Sequence, residues 1–197
     1  MKRSLIVGAC AAVAALVAAA GVLAYPTLFP SRPQQGSVQI GGPFQLTDGD
    51  GHTVTDASLR GKWTLIYFGY THCPDACPTA LQDIANAFDQ LGPNQRHAVQ
   101  AMFITVDPAR DTPAVMKDYV AGFNAGIVGL TGSESAITQA EKGYRVFAAK
   151  HPTKDGDYEM DHSSIIYVMD PNGRFVANFT HESSPDQIAG RLKQLGA

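Results

Sequence analysis

Cys73 and Cys77 stand four positions apart in Thr71-His72-Cys73-Pro74-Asp75-Ala76-Cys77-Pro78. Side chains at i and i+4 share one face of a helical turn, so the two sulfurs can converge on a metal or on each other. The thiolate, not the thiol, is the form that attacks or ligates. A helix N-terminus favours ionisation by only ~0.3–1 kcal/mol, less than the ~1.4 kcal/mol of one pKa unit. No Lys or Arg lies between Lys62 and Arg96. On these grounds the free thiols stay mostly protonated at neutral pH, whereas a bound metal would displace the proton outright.

Two thiolates are soft ligands that suit Cu(I), Zn(II) or an iron–sulfur cluster. Clusters and structural zinc sites want about four ligands, and copper accepts fewer. Of the three cysteines, Cys10 falls in an apolar N-terminal run, which leaves one pair in the folded body. A third ligand must come from the six histidines. His162, in Asp161-His162-Ser163-Ser164-Ile165-Ile166-Tyr167-Val168, lies at the lip of an apolar strand and is the best placed. His72 adjoins Cys73 but should point away from it. His52, His97, His151 and His181 sit in polar surroundings and read as solvated loop residues. The plainer alternatives are a structural disulfide for the cysteines and a structural role for His162.

The elements that must position these residues follow from periodicity. Trp63–Gly69 is an apolar, aromatic run and reads as a buried central strand. The helical pattern starts at Thr79 and ends at Gly92-Pro93. Phe44–Thr47 and His52–Thr55 flank Asp48-Gly49-Asp50-Gly51 as a hairpin. Val99–Val106 is a strand closed by Asp107-Pro108. Thr112 caps a helix reaching about Phe123, and Ser133 caps another reaching Ala148. Ile127–Leu130 is a short strand, Ile165–Met169 and Phe175–Phe179 form a hairpin, and Pro185–Leu195 is a terminal helix. Alternating strands and helices followed by a hairpin and a last helix give an α/β, thioredoxin-like domain over residues 38–197.

Residues 1–25 precede it with Lys2 and Arg3 and then an uncharged run over residues 5–24. About 20 residues at 1.5 Å each span a ~30 Å hydrocarbon core. The run reads as a transmembrane anchor that keeps its basic end inside, and cleavage of a signal segment after Ala24 is the rival. Residues 26–37, with Pro26, Pro30, Pro33 and Gly36, form a linker. The net charge is −3, which gives no general affinity for nucleic acid.

The cysteine motif closely resembles the signature of the Sco/SenC family of copper chaperones for cytochrome oxidase assembly. Ile104-Thr105-Val106-Asp107-Pro108-Ala109-Arg110-Asp111-Thr112-Pro113, Gly129-Leu130-Thr131-Gly132 and Tyr158-Glu159-Met160-Asp161-His162 extend the resemblance over roughly residues 38–195. The resemblance implies a thioredoxin fold that binds Cu(I) or Cu(II) through Cys73, Cys77 and His162, with Cys73 and Cys77 also forming a redox-active disulfide. It further implies delivery of copper to, or reduction of cysteines at, the copper-bearing subunit of a respiratory oxidase. Other copper chaperones or thiol reductants would be secondary partners. The implied location is the inner membrane with the domain in the periplasm, or in the intermembrane space of a mitochondrion. An exported thiol-disulfide oxidoreductase without a copper role is the rival. Its features fit less well, because the spacing is C-x-x-x-C and Lys154–Asp170 holds no proline to face the disulfide. Asp75 reads as a helix cap, Asp161 as a possible orienter of His162, and Asp107-Pro108 and Arg110-Asp111 as turn and surface charge.

Overall fold

The computed structural model describes residues 39–154, 156–180 and 182–197. The proposed anchor and linker, residues 1–25 and 26–37, and His181 lie outside them. Among the described residues no helix is long and apolar enough to cross a membrane.

The fold is built on β3 (Trp63–Gly69), whose last six residues are all buried. A strand buried on both faces needs apolar residues at successive positions rather than in alternation, and Leu65-Ile66-Tyr67-Phe68 supplies them. It pairs in parallel with β4 (Val99–Thr105) and antiparallel with β8 (Ile165–Met169). The seven-stranded sheet runs β2-β1-β5-β4-β3-β8-β9. Its other strands are β1 (Gln45–Asp48), β2 (Thr53–Thr55), β5 (Val128–Thr131) and β9 (Phe175–Thr180). A short 3-10 turn, Asp56–Leu59, joins β2 to β3.

Five helices complete the domain: α1 (Ala76–Asp89), α2 (Pro93–Ala98), α3 (Pro113–Ala121), α4 (Glu134–Tyr144) and α5 (Pro185–Leu195). Helix α1 turns Leu81, Ile84, Ala85 and Phe88 into the core, a 3–4 spacing that fits one helix face. Fully burying a side chain such as Leu81 or Ile84 stabilises the fold by ~1.5–3 kcal/mol. The caps read from the sequence form: Thr112 accepts from the Val115 amide and Ser133 from the Ala136 amide.

Three helix boundaries differ most from the sequence reading. Helix α1 starts at Ala76, not Thr79. Pro78 is tolerated because first-turn amides have no intrahelical acceptor to lose. The helix ends at Asp89, and Gly92-Pro93 opens α2 instead of closing α1. Helix α4 stops at Tyr144, where Arg145 turns left-handed at φ 56°. The chain beyond forms β6 (Ala148–Pro152), which pairs with β7 (Tyr158–His162) as a separate two-stranded sheet.

Candidate metal centre

The site lies beyond the C-terminal end of β3. There the chain leaves the sheet at Gly69, whose carbonyl accepts from the Val106 amide at 2.8 Å. A Cβ on Gly69 would stand 2.6 Å from Cys77 Sγ and 2.8 Å from Phe103. Only glycine lets the strand end this close to the sulfur.

The cysteine loop is then fixed by Asp111. This fully buried carboxylate accepts from the Thr71 amide at 3.0 Å, from Thr71 Oγ1 at 2.6 Å and from Thr105 Oγ1 at 2.6 Å. Cys73 follows in a turn, its amide donating to the Tyr70 carbonyl at 3.3 Å. It therefore stands ahead of the helix rather than on a helical turn shared with Cys77, the second residue of α1. The Cys77 amide donates to Cys73 Sγ at 3.4 Å. Asp75 occupies the N-cap position, yet its side chain makes no capping bond. The sulfur of Cys73 takes the role read for the Asp75 carboxylate.

His162 arrives from the end of β7. Its Nε2 lies 3.4 Å from Cys77 Sγ, and the ligand atoms of Cys73, Cys77 and His162 all fall within 4.8 Å of one another. Its Nδ1 faces the Ser163 carbonyl at 3.3 Å. With the proton on Nδ1, the lone pair of Nε2 points at the sulfurs. Tyr67 and Tyr70 flank the ring nearly perpendicular to it, at centroid distances of 6.0 and 5.8 Å.

Cys77 is fully buried and Cys73 partly exposed, and both are free. The Cys77 thiol donates to the Cys73 sulfur, which with the amides of Cys77 and Asp75 brings the Cys73 thiol well below its ordinary value despite its partial burial. The same interaction, with burial, pushes Cys77 up. The opposite shifts favour one proton shared between the two sulfurs, with the negative charge on Cys73. The expectation that the free thiols stay mostly protonated weighed only the helix end and basic side chains, whereas the lowering at Cys73 comes from hydrogen bonds. Burial also raises Tyr67, which keeps its phenol protonated beside Cys77.

The other described histidines stay out of the cluster. His72 is more than half exposed and turns toward Thr71 Oγ1 at 3.2 Å and Asp111 at 4.0 Å. His52 pairs with Asp48, and His97 is exposed on α2. His52 keeps to its loop, whereas His97 and His151 belong to a helix and a strand, not to loops. Asp161 pairs with His151 at 2.8 Å, so it does not orient His162. Ser163 does that through its backbone carbonyl.

Arg110 and Asp107 are not surface charges either. Asp107 is buried; its carboxylate accepts from Arg110 Nε at 2.5 Å and from the Tyr158 hydroxyl at 2.9 Å. The partial signal for this in the sequence was an acid at each end of Asp107-Pro108-Ala109-Arg110-Asp111, directly after a buried strand.

Two sulfurs and one imidazole nitrogen form a soft, three-membered donor set. Ligands ~2.0–2.3 Å from a shared metal stand roughly 3.5–4 Å apart in a trigonal arrangement. The observed cluster, within 4.8 Å, needs only a small inward movement to close on an ion.

A thioredoxin-like α/β domain with a Cys-Cys-His cluster at the mouth of its first long helix is therefore the class of protein defined here. The SCO1/SenC family model matches residues 32–197, and the chain belongs to that family. Its fold is similar to that of Bradyrhizobium japonicum ScoI, solved with copper bound: 53% identity, TM-score 0.73, covering 79% of this chain and 98% of that one. It is also similar to BsSco, described as a cytochrome c oxidase assembly protein with a disulfide switch: 26% identity, TM-score 0.60, covering 79% of this chain and 92% of that one. The mitochondrial SCO1 homolog 1 of Arabidopsis thaliana is 42% identical over 164 residues, 83% of this chain and 49% of that protein. The chain spans about half the length of several curated relatives it matches.

Proposed function

We propose that this protein is a copper chaperone that binds one copper, as Cu(I) or Cu(II), through Cys73, Cys77 and His162. The observation that carries the reading is the convergence of those three ligand atoms within 4.8 Å, in a family with members solved holding copper. The cargo would be delivered to the copper-bearing subunit of a respiratory oxidase. Loading would release a proton to solvent: Cys73 offers its thiolate, and Cys77 gives up the shared proton as its sulfur meets the ion. Because Cys73 is the exposed member, an incoming acceptor thiolate would displace it first. Cys77 would be released last, from the buried side. The uncharged run over residues 5–24 would tether the domain on the outer face of the inner membrane, with residues 26–37 as spacer.

One observation favours a second reading, reduction of the oxidase's own cysteines through a Cys73–Cys77 disulfide. An exposed low-pKa sulfur beside a buried protonated one suits an attacking and a resolving thiol.

Complementation separates the two. In cells lacking this chain, copper content and activity of the oxidase are measured after supplying wild type, Cys73→Ala, Cys77→Ala or His162→Ala. Delivery requires all three residues. Full rescue by His162→Ala with none by the cysteine variants would replace delivery by reduction, and full rescue by the cysteine variants would overturn both.

A further inference from the structure

We propose that Arg110 is a positioning residue: it clamps the β6–β7 hairpin so that His162 meets the two sulfurs, and so sets the strength of the imidazole's hold on Cu(II). The inference rests on the copper reading above.

The hairpin needs such a device. It pairs only with itself, outside the seven-stranded sheet. A cleft of about 570 Å³ separates Ala148, Lys150 and Met160 on the hairpin from Asp107–Ala109 and α4. Ala148 and Met160 pack partly against the core, but the cleft leaves that contact incomplete. Near His162 its two strands close on each other through two bonds between Phe147 and Ser163, each 3.0 Å. Its far end is tied at Tyr158, four residues from His162 on the same face and ~13 Å away along the strand.

Arg110 and Asp107 make that tie. Arg110 Nη1 donates to the Tyr158 carbonyl at 3.0 Å and to Asp157 Oδ1 at 3.3 Å. The guanidinium lies 3.8 Å from the centre of the Tyr158 ring. The Tyr158 hydroxyl and Arg110 Nε both bond Asp107, whose own amide donates to Thr105 Oγ1 at 2.8 Å. Arg110 also lies 5.8 Å from the ring of Tyr70, which flanks His162.

One loop thus governs both halves of the ligand set. Asp111 fastens the cysteine loop to the end of β4, and Asp107 with Arg110 fastens the histidine hairpin to the same loop. The planar fork is essential, since it bonds Asp107, Tyr158 and Asp157 while stacking on a ring. A lysine ammonium can do one of these at a time.

Arg110→Lys, Tyr158→Phe, His162→Ala and the Arg110→Lys/His162→Ala double variant are titrated with Cu(II) and Cu(I), and their Cu(II)–thiolate spectra recorded. Arg110→Lys should weaken Cu(II) binding by about 10-fold, the low end of what losing a direct outer partner of a metal ligand costs, because Arg110 acts on His162 through Tyr158. Its spectrum should move toward that of His162→Ala, with Cu(I) binding little changed. Tyr158→Phe, which keeps the ring and loses one hydroxyl, should show a smaller loss in the same direction. In the His162→Ala background Arg110→Lys should cost nothing further. Without metal, amides of residues 158–162 should exchange faster in Arg110→Lys while those of β3 do not. Equal losses in both backgrounds, or unchanged Cu(II) binding in Arg110→Lys, would overturn this inference alone. Unchanged Cu(II) binding in His162→Ala would overturn the ligand assignment and this inference with it.

Discussion

Replacing Asp111 tests how the cysteine loop is held. Asp111→Ala removes the acceptor of three hydrogen bonds, at 3.0, 2.6 and 2.6 Å, from Thr71 and Thr105. A hydrogen bond to a charged group contributes ~1.5–3 kcal/mol, and a buried donor left unpaired costs ~1–3 kcal/mol. The two hydroxyls can turn to other acceptors, but the Thr71 amide cannot, so the expected net loss is about 3–5 kcal/mol. Asp111→Asn behaves differently. Its oxygen can take the Oδ2 position, which serves the Thr71 amide and Thr105, while its NH2 donates to Thr71 Oγ1 turned to accept. That exchange loses charge assistance only and should cost about 1 kcal/mol. Urea denaturation of the metal-free domain reads both, and at ~2–4 °C per kcal/mol calorimetry should see the difference plainly. The alanine form should also lose copper affinity, because Thr71 leads directly into Cys73. An asparagine form as unstable as the alanine form would show that charge, not the three donors, is what the site requires. An alanine form within 1 kcal/mol of wild type would refute the proposed role of the carboxylate.

Gly69→Ala would bring a methyl group 2.6 Å from Cys77 Sγ, so the sulfur must move by much more than the ~0.2 Å that a metal site tolerates. Weakened copper binding together with ~1–3 kcal/mol of overpacking is expected in titration and urea denaturation, and native copper binding would contradict the tight fit. Iodoacetamide should label Cys73 selectively in the metal-free protein, at a rate nearly flat with pH above about 4, because the attacking thiolate is already formed. A rate climbing about tenfold per pH unit up to ~8.5, as for an ordinary thiol, would contradict the hydrogen-bonded thiolate.

The sheet was legible in the sequence where burial on both faces forced unbroken apolar runs. Trp63–Gly69 has the expected boundaries, and β4 and β8 lie within a residue of theirs. The terminal helix was equally plain, because Ser184-Pro185 and Gly196 mark its ends. The β6–β7 hairpin was not. Its residues are largely exposed and polar, and the alternation of Tyr158, Met160 and His162 with Glu159 and Asp161 was its only local sign. Cys73, Cys77 and His162 could be named from residue chemistry and family resemblance, and the structure brings them together. What holds them could not be named, since Asp111 meets Thr71 across forty positions and Arg110 meets Tyr158 across forty-eight. Such contacts exist only after folding, and in one dimension their charges look like ordinary turn residues. The lowering of the Cys73 thiol was not legible for the same reason, as the donors behind it are backbone amides and a neighbouring thiol.

X-ray absorption at the copper edge of the loaded wild-type domain, beside Cys73→Ser, Cys77→Ser and His162→Ala, is the most direct measurement of the ligand set. The expected result is one copper bound by two sulfurs and one imidazole nitrogen. One sulfur should be lost in either serine variant, and only the nitrogen in His162→Ala. A copper environment without sulfur, or one unchanged by Cys77→Ser, would contradict copper binding by Cys73, Cys77 and His162.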